Sequence, residues 1–199
     1  MPSGHLVVQP LSGCAVAEVA ALHAEAIPYS LNSRLGTGHL AQLYRWMLER
    51  DGECRVLVAV LDGEVAGVVS VALDPDRFVG SFLGQLGPRQ VAGLAVRMAL
   101  RPALLLDWRE SRNLSAPLNY QGQRVWPCLS AIAVAESRRR SGVGRALVAG
   151  VDGWIRANNY PAYFLDTLAE NQAARAFYRR LGFVEVEQRG KSVMLVKGV

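Results

Sequence analysis

The feature that most constrains this chain is an apolar, strand-like run, Leu129 to Val134, that passes through Ala135-Glu136-Ser137-Arg138-Arg139-Arg140-Ser141-Gly142-Val143-Gly144 straight into a helix-like segment. Consecutive backbone N–H groups in such a turn, added to the unpaired N–H groups of a helix start, form an anion site. Gly142 and Gly144 would let an anion approach a backbone that Cβ atoms otherwise shield, and a pyrophosphate is the natural occupant. Taken alone, the segment fits an ordinary turn with a solvated arginine cluster equally well.

A second segment separates the two readings. Tyr163 to Leu168 is another strand-like run, followed by Asn171-Gln172-Ala173-Ala174-Arg175-Ala176-Phe177-Tyr178-Arg179-Arg180-Leu181-Gly182-Phe183. Asn171 is expected to cap an Ala-rich helix that Gly182 ends in a left-handed conformation. Asn171 and Tyr178, seven apart, fall on nearly the same helix face and address one groove. Phe177 and Tyr178 by themselves read as ordinary packing residues.

Together the two segments resemble the diagnostic motifs of the GCN5-related N-acetyltransferase (GNAT) superfamily. Arg139, Gly142 and Gly144 match its Arg/Gln-x-x-Gly-x-Gly/Ala pyrophosphate loop; Asn171, Ala174, Phe177, Tyr178, Gly182 and Phe183 match its second motif. The firm resemblance covers 125–197. It implies an α/β fold: a mixed, mostly antiparallel seven-stranded sheet flanked by helices and splayed between strands four and five. Residues 1–199 would then form one domain, with a helical insertion, about 74–124, between strands three and four.

The rest of the chain is compatible with that plan. His5 to Pro10 reads as a strand, and Ser12 as the cap of a helix from Cys14 to Ala26. Residues 27–36 read as irregular, with Thr37 capping a helix through Arg50. Arg55 to Leu61 and Val65 to Leu73 flank Asp62-Gly63, a hairpin signal. Val125 to Val134 is the next strand, Arg145 to Asn158 a helix, and Val184 to Gln188 with Ser192 to Lys197 a closing hairpin. Within the insertion, Phe78 to Leu86, Gln90 to Leu100 and Ala103 to Arg112 read as helices. Arg97, Arg101, Pro102 and Asp107 interrupt its apolar stretch, so no membrane span is expected. The insertion reads instead as a flap over the acceptor site, a homodimer surface or an interfacial helix.

Composition permits this reading. The chain is 51% apolar, enough for one core, and its net charge of +5 favours polyanionic partners, coenzyme A as readily as nucleic acid. Arg138 to Arg140 lack the interleaved aromatics of a single-strand binder, so nucleic acid is not expected. Three widely spaced cysteines suggest no disulfide framework and fit a cytoplasmic setting, and no secretory signal is visible at the start. His23 and His39 lack partners at metal spacing, so no metal is expected.

The resemblance also implies a chemistry. Acetyl-CoA would be held by Ile132, Ala133, Val134, Arg139, Arg140, Ser141, Gly142, Val143, Gly144, Arg145, Asn171, Ala174, Phe177 and Tyr178. An amine would attack the thioester directly, with a backbone N–H near Ile132 stabilising the oxyanion and Tyr178 acting as general acid. A free thiol near pKa about 8.5 and a phenol near about 10 leave proton donation nearly balanced. The fourth strand offers no carboxylate, so either Ser130 orders a water that takes the ammonium proton or the acceptor binds as a neutral amine that needs no dedicated base; Asp166 reads as structural. Tyr29, Asn32, Arg34 and Tyr120 are the acceptor-site candidates. The expected function is N-acetylation of a small-molecule primary amine, with protein or peptide acetylation and a non-catalytic acyl-CoA-binding module as alternatives.

Overall fold

A computed structural model describes residues 5–50, 52–100, 103 and 116–199. Seven strands form the main sheet: β1 (Leu6–Pro10), β2 (Cys54–Leu61), β3 (Glu64–Ala72), β6 (Cys128–Val134), β7 (Ala162–Leu168), β8 (Val184–Arg189) and β9 (Ser192–Gly198). Their order is β1-β2-β3-β6-β7-β9-β8, every neighbouring pair antiparallel except β6 and β7. Asp62 and Gly63 turn the β2–β3 hairpin with φ of 55° and 85°, the doubly left-handed turn that an Asp-Gly pair favours.

Strand alternation sorts the apolar residues to two faces. Leu57, Ala59 and Val71 face helix α6 (Val143–Ala157), whose Leu147, Val148, Val151 and Ile155 form its buried stripe. Val56, Val58 and Val68 face the opposite layer, α1 (Val16–Ala26) and α3 (Thr37–Leu48). Beyond the parallel pair, Phe164, Met194 and Val196 on that second face are covered by a small ribbon, β4 (Leu118–Tyr120) and β5 (Gln123–Val125). Helix α7 (Gln172–Arg180) follows β7.

Several expectations need correction. The anticipated strand from Val125 to Val134 is two strands. Val125 belongs to the ribbon, and Pro127, which has no N–H for a ladder, separates it from β6. Residues 27–36 are not wholly irregular: α2 (Leu31–Arg34) forms within them, capped by the Ser30 side chain. Thr37 is the first residue of α3, and the cap position is Gly36 at φ 100°. Ser12 makes no capping bond; its hydroxyl lies 3.1 Å from Cys14 Sγ, and a short 3-10 turn precedes α1. The insertion carries α4 (Pro75–Gly84) and α5 (Pro88–Leu100), while the helix expected from Ala103 to Arg112 falls outside the described residues. Phe78 and Phe82 of α4 stack edge-on against Trp46 of α3. Among the described residues no helix is long and apolar enough to cross a membrane.

Between α1 and α3, His23 Nδ1 lies 2.6 Å from the Tyr44 hydroxyl, and both side chains are buried. Burial lowers the His23 pKa from 6.5 to about 4. The unfolded chain therefore binds a proton through this window that the folded chain refuses. Its contribution to stability is full above pH 6.5 and is lost as pH falls toward 4. From pH 7 to pH 5 the loss from this residue is about 2 kcal/mol. Denaturant unfolding at the two pH values should show a drop of that order, flattened in His23→Gln, which can still accept from Tyr44. A slope identical in wild type and variant would refute it.

Candidate active site: an anion cradle beside a splayed strand pair

The start of α6 is seated by two close approaches. A Cβ on Gly67 of β3 would lie 2.9 Å from both the Ala133 carbonyl oxygen and Val143 Cγ1, so only glycine lets the first turn of α6 sit this near the sheet. A Cβ on Gly144 would lie 3.1 Å from the Phe177 ring of α7. Gly144 therefore lets α6 and α7 pack closely, a role besides the one its motif position suggests, and it also lines the cleft described below. Gly142 is the reverse case. It caps α6 at φ 91°, a left-handed conformation, and a Cβ there would meet open space. Arg140 is also left-handed, at φ 64°.

This turn leaves a row of amides unsatisfied. The N–H groups of Arg138 and Arg139 bond back to Ala135 and Glu136, and that of Ala146 bonds to Gly142. Between them, the six amides of residues 140–145 have no acceptor among the described residues. Alternating left-handed turns that lead into a helix N-terminus point such amides into one concavity.

Next to the cradle the sheet opens. β6 and β7 share a single register pair, Cys128 with Phe164, plus the Phe164 N–H bond to the Pro127 carbonyl at 2.9 Å. Past that point no described strand pairs with β6 on its β7 side. The departure coincides with a bulge in β6: Ser70 pairs with Ala131 and Val71 with Leu129, leaving Ser130 as the extra residue.

A cleft of about 810 Å³ runs along this opening. Of the nominated cofactor residues, Ile132, Ala133, Val134, Arg139, Arg140, Gly142, Gly144, Arg145, Ala174, Phe177 and Tyr178 line it. Three others do not. Val143 is fully buried in the core, Ser141 is exposed with its hydroxyl donating to the Arg138 carbonyl, and the Asn171 side chain accepts from Ala174 N–H at 3.0 Å as the cap of α7. Sequence reasoning missed Ala26 of α1 and, on α7 and just beyond it, Ala173, Ala176, Arg180 and Leu181. The recurrence of 173, 176, 177 and 180 on one helical face was the available signal.

Tyr178 sits at the inner end of α7, 7% exposed, with its ring against Phe177 and Phe183 at centroid distances of 5.2 and 5.4 Å. Burial pushes its phenol well above the ordinary value, and the charges of Asp166 and Tyr29 add to the shift. The phenol is thus held protonated. Asp166 follows Phe164 by strand alternation onto the ribbon face of β7, and its charge also raises the buried Cys128 thiol, after burial itself. Thus the two tyrosines and Asp166 share one electrostatic neighbourhood.

The remaining candidates spread around it. Ser130 is exposed on the bulge, its hydroxyl 3.5 Å from the Cys128 carbonyl and outside the cleft lining. Tyr29 is 59% exposed after α1. Asn32 Oδ1 lies 3.3 Å from His39 Nε2, and Arg34 is exposed on α2. Tyr120 lies in the ribbon, its hydroxyl accepting from the Gln121 amide at 3.3 Å. No group of three or more metal-ligating side chains occurs among the described residues.

Comparison with known proteins agrees with this geometry. Residues 115–183 match the family model described as Acetyltransferase (GNAT) family. No curated protein matches the chain. Among solved structures, the chain is similar to the PaiA N-acetyltransferase of Thermoplasma acidophilum, crystallised in complex with coenzyme A. The TM-score is 0.62 at 12% identity, covering 98% of this chain and 99% of that one. It is also similar to the ribosomal-protein-alanine N-acetyltransferase of Brucella melitensis, with TM-score 0.60, 19% identity and coverage of 97% and 99%. The ribosomal-protein-S18-alanine N-acetyltransferase of Escherichia coli gives 0.59, 13%, 98% and 94%. At these identities the likeness is one of fold, and it extends over nearly the whole chain. Residues 115–183 thus carry the signature of the acetyltransferase (GNAT) family, on a fold that is similar to acetyltransferases of that kind over nearly the whole chain.

Proposed function

We propose that the protein, acting as one unit over residues 1–199, transfers an acetyl group from acetyl-CoA to a primary amine by direct attack. The observation that carries this reading is one cleft that combines six acceptor-less amides, an unpaired strand edge and a buried protonated phenol. Coenzyme A fits those residues. Amides 140–145 with Arg139 and Arg140 suit its diphosphate, and the free edge of β6 at Ile132 to Val134 suits the amide groups of its pantetheine arm. When bound, acetyl-CoA supplies an activated thioester.

The protein's own groups then divide the work. A β6 backbone N–H near Ile132 stabilises negative charge at the carbonyl under attack. Tyr178, whose pKa lies far above that of a thiol, serves as a hydrogen-bond donor to the departing sulfur rather than giving up its proton fully. We assign the ammonium proton to Asp166, a carboxylate whose charge reaches that phenol, where sequence reasoning had nominated a water ordered by Ser130 or an amine that needs no base. Helix α4 reaches one acceptor candidate, since Phe82 meets His39 edge-on and His39 Nε2 lies 3.3 Å from Asn32 Oδ1, and on this ground we favour a small-molecule amine. A protein α-amino group is the second reading, favoured by the two similar structures that acetylate a ribosomal-protein alanine.

A thiol-release screen with acetyl-CoA against small amines and amine-bearing peptides separates the two acceptor classes; silence across both panels would overturn the activity. Tyr178→Phe should lower kcat by about 100-fold while leaving the KM for acetyl-CoA within a few-fold, and an unchanged kcat would refute its role. Asp166→Asn should lose activity near neutral pH and recover it at a pH where the amine is already neutral. A deficit that does not change with pH would exclude it as the proton acceptor. Gly142→Val would strain a left-handed turn by about 1–3 kcal/mol and fill the open side of the cradle. Coenzyme A affinity should fall at least about tenfold, whereas unaltered affinity would place the diphosphate elsewhere.

A further inference from the structure

The arginines around the cleft are sorted by their ion-pair partners. On α7, Arg175 and Arg179 both engage Glu185 of β8, through contacts of 2.8 to 2.9 Å. Arg180, the next residue, makes no ion pair among the described residues and lines the cleft instead. At the α6 turn the same division appears. Arg138 pairs with Glu64 at 2.9 Å, while Arg139, Arg140 and Arg145 line the cleft without a carboxylate partner among the described residues. Among the described residues the lining contains no Asp or Glu. The fold has thus used its nearby carboxylates to neutralise the arginines that point away, and four positive charges remain along one channel.

Building on the acetyl-CoA reading above, we propose that Arg180 of α7 and Arg145 of α6 form a subsite for the 3′-phosphate and make the protein discriminate coenzyme A from dephospho-coenzyme A. The charge count supports the assignment. The diphosphate carries about two negative charges, and the six amides with Arg139 and Arg140 already meet them from a single loop. The phosphomonoester carries a further charge of about −1.5 to −2, and Arg180 and Arg145 are the cations left over. They line the same cleft from two helices that meet where Gly144 approaches Phe177, one residue before Arg145 and three before Arg180. A guanidinium from each helix suits a three-oxygen anion better than either does alone.

Calorimetric titration of coenzyme A and dephospho-coenzyme A into the wild type and into Arg180→Gln, Arg145→Gln and Arg179→Gln tests this. The wild type should prefer coenzyme A by at least about tenfold, or about 1.4 kcal/mol. Arg180→Gln and Arg145→Gln should each lose most of that preference while holding dephospho-coenzyme A within about twofold of wild type. Arg179→Gln, whose side chain serves Glu185, should leave the ratio unchanged. Equal weakening of both ligands in Arg180→Gln and Arg145→Gln would assign these residues to the diphosphate and overturn the subsite, as would a wild type that does not distinguish the ligands. Failure of both ligands to bind the wild type would instead refute the acetyl-CoA reading on which the subsite rests.

Discussion

Everything at the site depends on how closely the first turn of α6 is pressed into the fold. Gly67 on β3 and Gly144 on α6 lack the Cβ atoms that would push this turn away from the sheet and from Phe177, and Val143, fully buried, anchors it from below. Because the turn is held on three sides, its amides cannot retract to find acceptors within the chain. They remain aimed outward, and the left-handed conformations of Arg140 and Gly142 persist although Arg140 lacks glycine's freedom there. Dense packing below the turn produces unsatisfied polarity above it, and that polarity is the binding capacity.

The same economy governs charge and proton state. Glu185 and Glu64 engage three arginines outside the cleft, and among the described residues every charged side chain that lines it is an arginine. Deeper in, burial rather than charge dominates: it keeps the Tyr178 phenol and Cys128 thiol protonated, with Asp166 reinforcing both. The outer end therefore suits an anion and the inner end suits proton-holding chemistry, in a channel where α6 and α7 meet.

Much of this was legible in the sequence because it depended on local grammar. The Asp62-Gly63 hairpin, the Asn171 cap and the glycine-bearing turn into α6 each follow from conformational preferences of a few adjacent residues. What sequence could not reveal depended on contacts between distant segments. The reason for Gly144 lies on α7, thirty-odd residues later, and Arg180 differs from Arg179 only in what β8 offers its neighbour. The ribbon over 118–125 escaped notice because three-residue strands carry too little periodicity, and the break at Pro127 was hidden inside an apolar run. That the charge of Asp166 reaches Tyr178 was not legible either, because alternation tells which face of β7 a side chain takes and nothing about side chains on other elements.

The lone register pair between Cys128 and Phe164 has a mechanical meaning. Three strands and β6 lie on one side of it, and β7, β9 and β8 on the other, so the main sheet is two ladders joined near one end by a single rung and one flanking backbone bond. Thus the seam at which we propose the cofactor's extended arm lies is also the line along which the sheet most easily parts. A guest lying in that gap and bonding to the bare edge of β6 serves as a suture, restoring cohesion where the polypeptide omitted it and tying the rigidity of the whole domain to whether the cleft is filled.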